Sequence, residues 1–102
     1  MPNFLISIMA DARQQIALAD TLYVVAEEYD AALEIYSRVI DGVYDTDTSV
    51  LGDEDRCVLL CKRSAVKVQC GDAKGAVEDA DTAADLRPDC VNAYFRKGYD
   101  TL

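Results

Sequence analysis

Residues 61–98 read CKRSAVKVQCGDAKGAVEDADTAADLRPDCVNAYFRKG, and this stretch is punctuated like a series of paired helices. A helical run ends at Gly71 and Asp72, and a second run, rich in alanine, follows at once. The second run ends at Arg87 and Pro88, because a proline cannot continue the interior of a helix. A third run opens after the proline. This order of helices, tight turn and proline predicts antiparallel helix pairs.

The composition of the whole chain favours helices. The chain has 102 residues, of which 51% are hydrophobic, so one small domain with a buried core is expected. Only 8% are aromatic, and prolines occur only at Pro2 and Pro88, so little interrupts a helix. No alternating strand pattern of any length appears. We therefore predict an all-α fold.

Five segments carry apolar residues three or four positions apart, the spacing of an amphipathic helix. The predicted helices cover residues 4–26, 29–40, 53–70, 73–86 and 91–102. Gly42 can adopt the left-handed conformation that ends the second helix. Gly and Asp breaks around a polar run then predict a loop over residues 43–53.

The charge of the chain limits the classes of partner. Its formal net charge is −9, so nucleic-acid binding, which rests on neutralising phosphates with Lys and Arg, is not expected. Attachment to an anionic membrane is disfavoured for the same reason. No basic segment precedes the apolar residues near the start, and no apolar run is long enough to span a membrane. We expect the protein in the cytoplasm, and the nucleus is a second compartment consistent with the sequence.

The residues that catalysis and metal binding commonly need are missing. The chain has no His, so the commonest general base is absent, and no Gly-rich phosphate loop occurs. No C-x-x-C pair is present to begin a zinc site. The carboxylates that crowd the fourth predicted helix are interpreted as its solvated face; they are Glu78, Asp79, Asp81 and Asp85. We predict a protein that is not an enzyme and has no metal or cofactor.

The four cysteines are interpreted as buried, reduced thiols, because free cysteine is among the most buried residue types. They are Cys57, Cys61, Cys70 and Cys90. Cys57 and Cys61 are four residues apart and therefore share one helix face. We expect no structural disulfide.

The spacing of small residues indicates a repeat. Ser64 and Gly98 are separated by 34 residues, whereas Ala32 and Ala76 are separated by 44, ten more. The ten extra residues fall in the predicted loop. A period of about 34 with this helix punctuation resembles the tetratricopeptide (TPR) repeat family. An unrelated helical bundle with chance matches is the alternative.

The resemblance to the TPR family implies an α-α superhelix of about two and a half repeats in one domain. Its parts would be a first unit over 13–42, an inserted loop over 43–53, a second unit over 54–89 and a half unit over 90–102. Two positions depart from the family pattern. Asp20 stands where the family has a small residue, and Lys67 stands where it has Tyr.

Three phrases of the sequence resemble the TPR module of the SGT-type co-chaperone adaptors. They are CKRSA at 61–65, AVEDA at 76–80 and AYFRKG at 93–98. That family couples the ninety-kilodalton heat-shock chaperone to ubiquitin-ligase and immune-receptor clients. The resemblance therefore implies an adaptor whose protein partner is a chaperone or a ubiquitin-ligase subunit.

Lys62 and Arg96 are 34 residues apart and so occupy the same position in successive units. In the TPR family that position faces the concave groove, where two cations would suit carboxylates of a partner. Some relatives carry a five-residue carboxylate clamp, of which only Arg96 is present here. The expected partner-binding residues are Thr21, Val58, Lys62, Ala65, Asn92, Phe95 and Arg96. The alternative is that both cations are only solvated, as exposed cations usually are.

A second function class is a self-associating structural fragment without a peptide ligand. Fewer than about three repeats rarely stand alone, and the third unit is incomplete. Its apolar residues could cap the stack or pair with a second copy to form a homodimer; they are Tyr94, Phe95, Tyr99 and Leu102. Sedimentation at several concentrations separates the two classes.

Overall fold

The computed structural model describes residues 12–42 and 52–92, and every regular element in these two ranges is a helix. The four longer helices in these ranges are α1 (Ala12–Val24), α2 (Tyr29–Ile40), α3 (Asp53–Gln69) and α4 (Ala73–Leu86). A helical turn, α5, covers residues 88–92. The predicted all-α class is confirmed for this part of the chain.

The described residues divide into two compact units, one within Met1–Val50 and one within Leu51–Leu102. In the first unit α1 packs against α2, which we call the N-terminal hairpin. In the second α3 packs against α4, which we call the C-terminal hairpin. Several predicted features lie outside the described residues: residues 43–51 of the loop predicted over 43–53, the start of the first predicted helix and the part of the half unit beyond residue 92. Asp53, the last residue of the predicted loop, is the first residue of α3.

Each hairpin buries small residues where its helices meet. The core of the N-terminal hairpin consists of Ala12, Ala19, Ala32, Tyr36 and Val39. The core of the C-terminal hairpin consists of Cys57, Leu59, Leu60, Cys61, Ser64, Val66, Ala76 and Ala83. Small side chains allow two helix backbones to approach closely, while one large residue such as Tyr36 fills the remaining space.

The two hairpins have the same internal register, offset by 44 residues. Ala32 and Ala76 are both buried at the start of the second helix of their hairpin. The amide of Ala32 donates to the Glu28 carbonyl at 3.0 Å, and the amide of Ala76 donates to the Asp72 carbonyl at the same distance. Two helix pairs from different parts of the chain are therefore built to one pattern.

The turns of the two hairpins follow the same register. Gly71 has φ +84°, and Glu27, which is 44 residues earlier, has φ +56°. The left-handed region costs an L-residue roughly 1–2 kcal/mol, whereas glycine enters it freely. The N-terminal hairpin therefore carries backbone strain that the C-terminal hairpin avoids.

Substitutions at the two turns should change the free energy of unfolding in opposite directions. Gly71→Ala should destabilise the protein by about 1 kcal/mol. No atom lies within 4 Å of a Cβ added at Gly71, so this cost comes from the backbone alone. Glu27→Gly should stabilise by about the same amount, since it removes the steric penalty of positive φ. Urea denaturation measures both, and Glu27→Ala, which keeps a Cβ, is the control with little expected change. Equal effects of Glu27→Gly and Glu27→Ala would contradict the explanation.

The fifth helix begins at residue 88 rather than near Val91 as predicted. The amide of Arg87 donates to the Ala83 carbonyl at 2.9 Å and so closes α4. The carbonyl of Arg87 then accepts from the amides of Cys90 and Val91 at 3.1 and 3.2 Å and so opens α5. Pro88 occupies the first helical position, where its fixed φ suits a helix and its missing N–H costs nothing. The proline starts α5 as well as stopping α4.

Candidate functional site

Three of the expected partner-binding residues share one face of α3. Val58, Lys62 and Ala65 are spaced four and three residues apart, and each is half-buried at the edge of the hairpin core. Asn92 is exposed at the end of the described part of α5. Phe95 and Arg96 lie outside the described residues. The equivalence of Arg96 and Lys62 in successive units therefore stays a prediction.

Thr21, the remaining expected residue, belongs to the N-terminal hairpin. It is exposed on α1, and its hydroxyl donates to the carbonyl of Ala17 one turn earlier at 3.1 Å. This bond draws the hydroxyl towards its own helix. Thr21 therefore offers a partner mainly its methyl group.

The strongest polar contact in the C-terminal hairpin joins α3 to α4. The guanidinium of Arg63 donates two hydrogen bonds of 2.8 Å to the two carboxylate oxygens of Asp79. The ammonium of Lys67 lies 2.9 Å from Asp79 Oδ2. Only 7% of the Asp79 side chain is exposed, against 16% for Arg63 and 18% for Lys67. We call this group the Asp79 cluster.

The Asp79 cluster corrects the interpretation of α4 as a helix whose acids are all solvated. Asp79 is buried, while Glu78, Asp81 and Asp85 are exposed as expected. Arg63 and Lys67 are one turn apart on α3, so both can reach a single carboxylate on the facing helix. Lys67, which departs from the family pattern, has its partner here.

The charge state of Asp79 follows from its surroundings. Burial by itself would raise the pKa of Asp79, but hydrogen bonds from Arg63 and Lys67, together with their positive charges, outweigh burial and lower this pKa below its usual value. Asp79 is therefore ionised at neutral pH. Two of the basic side chains of α3 are engaged by this carboxylate, so the positive charge available to a partner on α3 is smaller than the sequence suggests.

A second buried polar contact lies beside the cluster. The hydroxyl of Ser64, which is 4% exposed, donates to the carbonyl of Ala76 at 2.7 Å. Ala76 and Ala80 are small residues one turn apart on the same face, a pattern that predicts a close helix contact at both positions. Ala76 is buried, but Ala80 is half-buried, and Ala83 is fully buried in its place. Residues 76, 79 and 83 follow the helical period of 3.6 more closely than 76 and 80 do alone.

The same position in the N-terminal hairpin is also polar and also bonds across the helix pair. Asp20 lies 44 residues before Ser64, and it accepts a hydrogen bond from the hydroxyl of Tyr36. Tyr36 is 1% exposed, so its hydroxyl needs a partner within the protein. The departure of Asp20 from the family pattern therefore satisfies Tyr36.

All four cysteines are free thiols in this structure. Cys57 and Cys61 are fully buried on one face of α3, and burial is the main reason that the pKa of Cys61 is raised to about 11. Cys90 is half-buried, and Cys70 at the end of α3 is exposed. The expectation of buried thiols is wrong for Cys70, because it follows the last residue of α3 rather than facing α4.

No helix within residues 12–42 and 52–92 combines the length and the apolar content that crossing a membrane requires. Nor do His, Cys, Asp or Glu side chains in these ranges form a group of three that could hold a metal ion. No family model, curated protein or solved structure matches the chain. Function is therefore inferred from the two hairpins themselves.

Proposed function

We propose that the chain is a TPR-like helical-repeat module that binds a segment of a protein partner, with the face of α3 that carries Val58, Lys62 and Ala65 as part of the binding surface. The shared register of the two hairpins is the observation that carries this proposal. Buried alanines, left-handed turn residues and first-turn hydrogen bonds all recur after 44 residues. Two helix pairs of an unrelated bundle would have no reason to share all three.

The offset of 44 residues is one family period of about 34 with ten residues added. The added residues correspond to the predicted insertion over 43–53. Insertions between units are tolerated because the entropic cost of closing a loop grows slowly with its length. The proposed arrangement is an α-α superhelix of about two and a half repeats.

The proposed partner segment carries carboxylates. Lys62, which is half-buried like Val58 and Ala65, supplies positive charge on this face of α3. Arg96, one period later, would supply a second cation, with Phe95 as an apolar contact. The rest of the chain, whose net charge is −9, repels acidic segments. Lys62 and Arg96 together would therefore direct such a segment to this face. By resemblance to the SGT-type adaptors, the partner is a chaperone or a ubiquitin-ligase subunit.

Reversing the two cations should abolish partner capture. Each charge-assisted contact is worth roughly 1.5–3 kcal/mol when shielded from water, so Lys62→Glu together with Arg96→Glu should weaken binding by at least about 100-fold. The measurement is capture of proteins from a cell extract on the immobilised chain, with identification by mass spectrometry, followed by titration of the identified segment. Circular dichroism should show unchanged helicity.

Lys74→Glu is the matched control, because Lys74 is exposed on α4 and its substitution changes the net charge in the same direction. It should leave capture within about threefold of the original, since exposed charges contribute little. Capture that survives the double reversal in a folded protein would exclude the groove. The residues 43–53 or the opposite face of the hairpins would then be the better candidates.

Self-association is the alternative function, and the apolar residues assigned to it lie beyond residue 92. Sedimentation velocity at several concentrations distinguishes it from partner binding. A dimer that the Lys62→Glu and Arg96→Glu changes leave intact, with no captured protein, would favour the alternative.

A further inference from the structure

Two of the four cysteines, Cys57 and Cys90, contact the backbone where α4 ends and α5 begins. The Cys57 thiol on α3 donates to the carbonyl of Arg87 at 3.5 Å, and the amide of Cys90 donates to the same carbonyl at 3.1 Å. Burial and, after it, the Cys90 and Cys61 side chains raise the pKa of the Cys57 thiol. One carbonyl therefore brings Cys57 and Cys90 together from residues 33 positions apart in the sequence.

We propose that Cys57 and Cys90 are a redox-sensitive pair, which a low-molecular-weight disulfide such as oxidised glutathione converts into a disulfide bond that ties α5 to α3. The proposed linkage stands on the geometry of the C-terminal hairpin and does not depend on the proposed partner site. The disulfide would affect the proposed partner site by holding in place α5, the helical turn that carries Asn92.

Exposure decides which thiol of the Cys57–Cys90 pair reacts first. Cys57 and Cys61 are both fully buried, whereas Cys90 is half-buried and so presents surface to an oxidant in solution. The order of reaction is therefore Cys90 first and a buried partner second. Cys57 is the partner because it meets Cys90 at the Arg87 carbonyl, at the junction that a disulfide would fasten.

The oxidation consists of two thiol–disulfide exchanges. The Cys90 thiol loses its proton, and its sulfur attacks one sulfur of oxidised glutathione. A bond to Cys90 forms, the original S–S bond breaks, and one glutathione leaves and takes up a proton. The Cys57 sulfur, after losing its proton, attacks the Cys90 sulfur of the mixed disulfide, and the second glutathione leaves. The protein loses two electrons and two protons, and oxidised glutathione becomes two thiols.

The second exchange should be the slow one. Burial, together with the neighbouring thiols of Cys90 and Cys61, raises the pKa of the Cys57 thiol to about 12. Little thiolate is then present at neutral pH, and the thiolate is the attacking form. The pair would respond to sustained oxidation rather than to a brief pulse, and closure would be faster at higher pH.

The test treats the full chain with oxidised glutathione and maps the products by proteolysis and mass spectrometry. Cys70→Ser is the main background, because it removes an exposed thiol that could link two molecules. In this background a Cys57–Cys90 crosslink should form, and adding Cys90→Ser should abolish it. The crosslinked protein should melt about 10 °C higher than the reduced protein, since a disulfide restricts the unfolded chain.

Two results would overturn the proposal. One is glutathione that remains on Cys90 as a mixed disulfide after prolonged incubation at pH 8.5 (a value near the usual thiol pKa of about 8.5). The other is a crosslink that joins a different pair of cysteines. Cys61→Ser is the matched variant for a crosslink to the wrong cysteine, because it removes Cys61, the other fully buried thiol on α3. Circular dichroism of each variant shows whether it is folded. If Cys61→Ser at its buried site does not fold, the comparison of Cys70→Ser with and without Cys90→Ser still tests the proposal, because Cys90 is only half-buried.

Discussion

Asp79→Ala is expected to destabilise the C-terminal hairpin by about 3–5 kcal/mol, the usual cost of removing one partner from a buried ion pair. Arg63 would lose both of its 2.8 Å hydrogen bonds to the carboxylate, and Lys67 would lose its contact at 2.9 Å. Two cations with less than a fifth of their side chains exposed would then lie side by side without that carboxylate. Their mutual repulsion adds to the cost of desolvation.

Urea denaturation followed by circular dichroism measures the loss. The matched control is Asp81→Ala, which removes an exposed carboxylate from the same helix and should change stability by less than about 0.5 kcal/mol. A loss below about 1 kcal/mol for Asp79→Ala would show that water compensates both cations, and the Asp79 cluster would then be no more than a surface contact.

The Asp79 cluster should also make stability depend on acidic pH. Because the pKa of Asp79 is lowered in the folded protein, the unfolded chain binds more protons as the pH falls towards 4 and below. This contribution to stability is complete above the unfolded pKa of about 3.9 and is lost as the pH falls through the folded pKa. Asp79→Asn should therefore flatten the dependence of stability on pH in this range. An unchanged slope would contradict the assignment.

Tyr36→Ala is expected to destabilise the N-terminal hairpin by about 3–5 kcal/mol, the usual range for truncating a buried aromatic residue. Tyr36 is the largest fully buried side chain within residues 12–42 and 52–92. The other buried residues of its hairpin are small and cannot refill the cavity. Truncation of Tyr36 would also leave Asp20 without the hydroxyl that donates to it. Thermal and urea unfolding should both show the loss.

Two control variants separate the packing of Tyr36 from its hydrogen bond. Tyr36→Phe keeps the ring and removes only the hydroxyl, so it should cost about 1 kcal/mol. Tyr29→Ala truncates a half-buried tyrosine on the same helix and should cost less than Tyr36→Ala. Equal losses for Tyr36→Phe and Tyr36→Ala would show that the hydrogen bond, rather than the ring, stabilises the hairpin.

Local signals in the sequence were sufficient to place the ends of two helices. The predicted ranges 29–40 and 73–86 agree with α2 and α4 as observed. Helix ends depend on the capping and breaking residues within a few positions of them, such as Gly42 and Pro88, so nearby residues contain the needed information. The resemblance to the TPR family implied Val58, Lys62 and Ala65 as partner-binding residues, and their spacing of four and three residues puts them on one face of α3. That relation is internal to a single helix.

Contacts between two helices could not be predicted from such local signals. The sequence determined the helical class and the ends of α2 and α4, which follow from short-range hydrogen bonding and the periodicity of side chains. Only the tertiary structure decided which acid of α4 is buried. Asp79 is buried and its neighbours Glu78 and Asp81 are exposed because the three acids lie on different faces of the helix, and only the face of Asp79 meets α3. The tertiary structure also decided that Asp20 meets Tyr36 and that Arg63 meets Asp79, each 16 residues away. The physical reason is that a carboxylate is stable when buried only if a facing helix brings donors or cations to it.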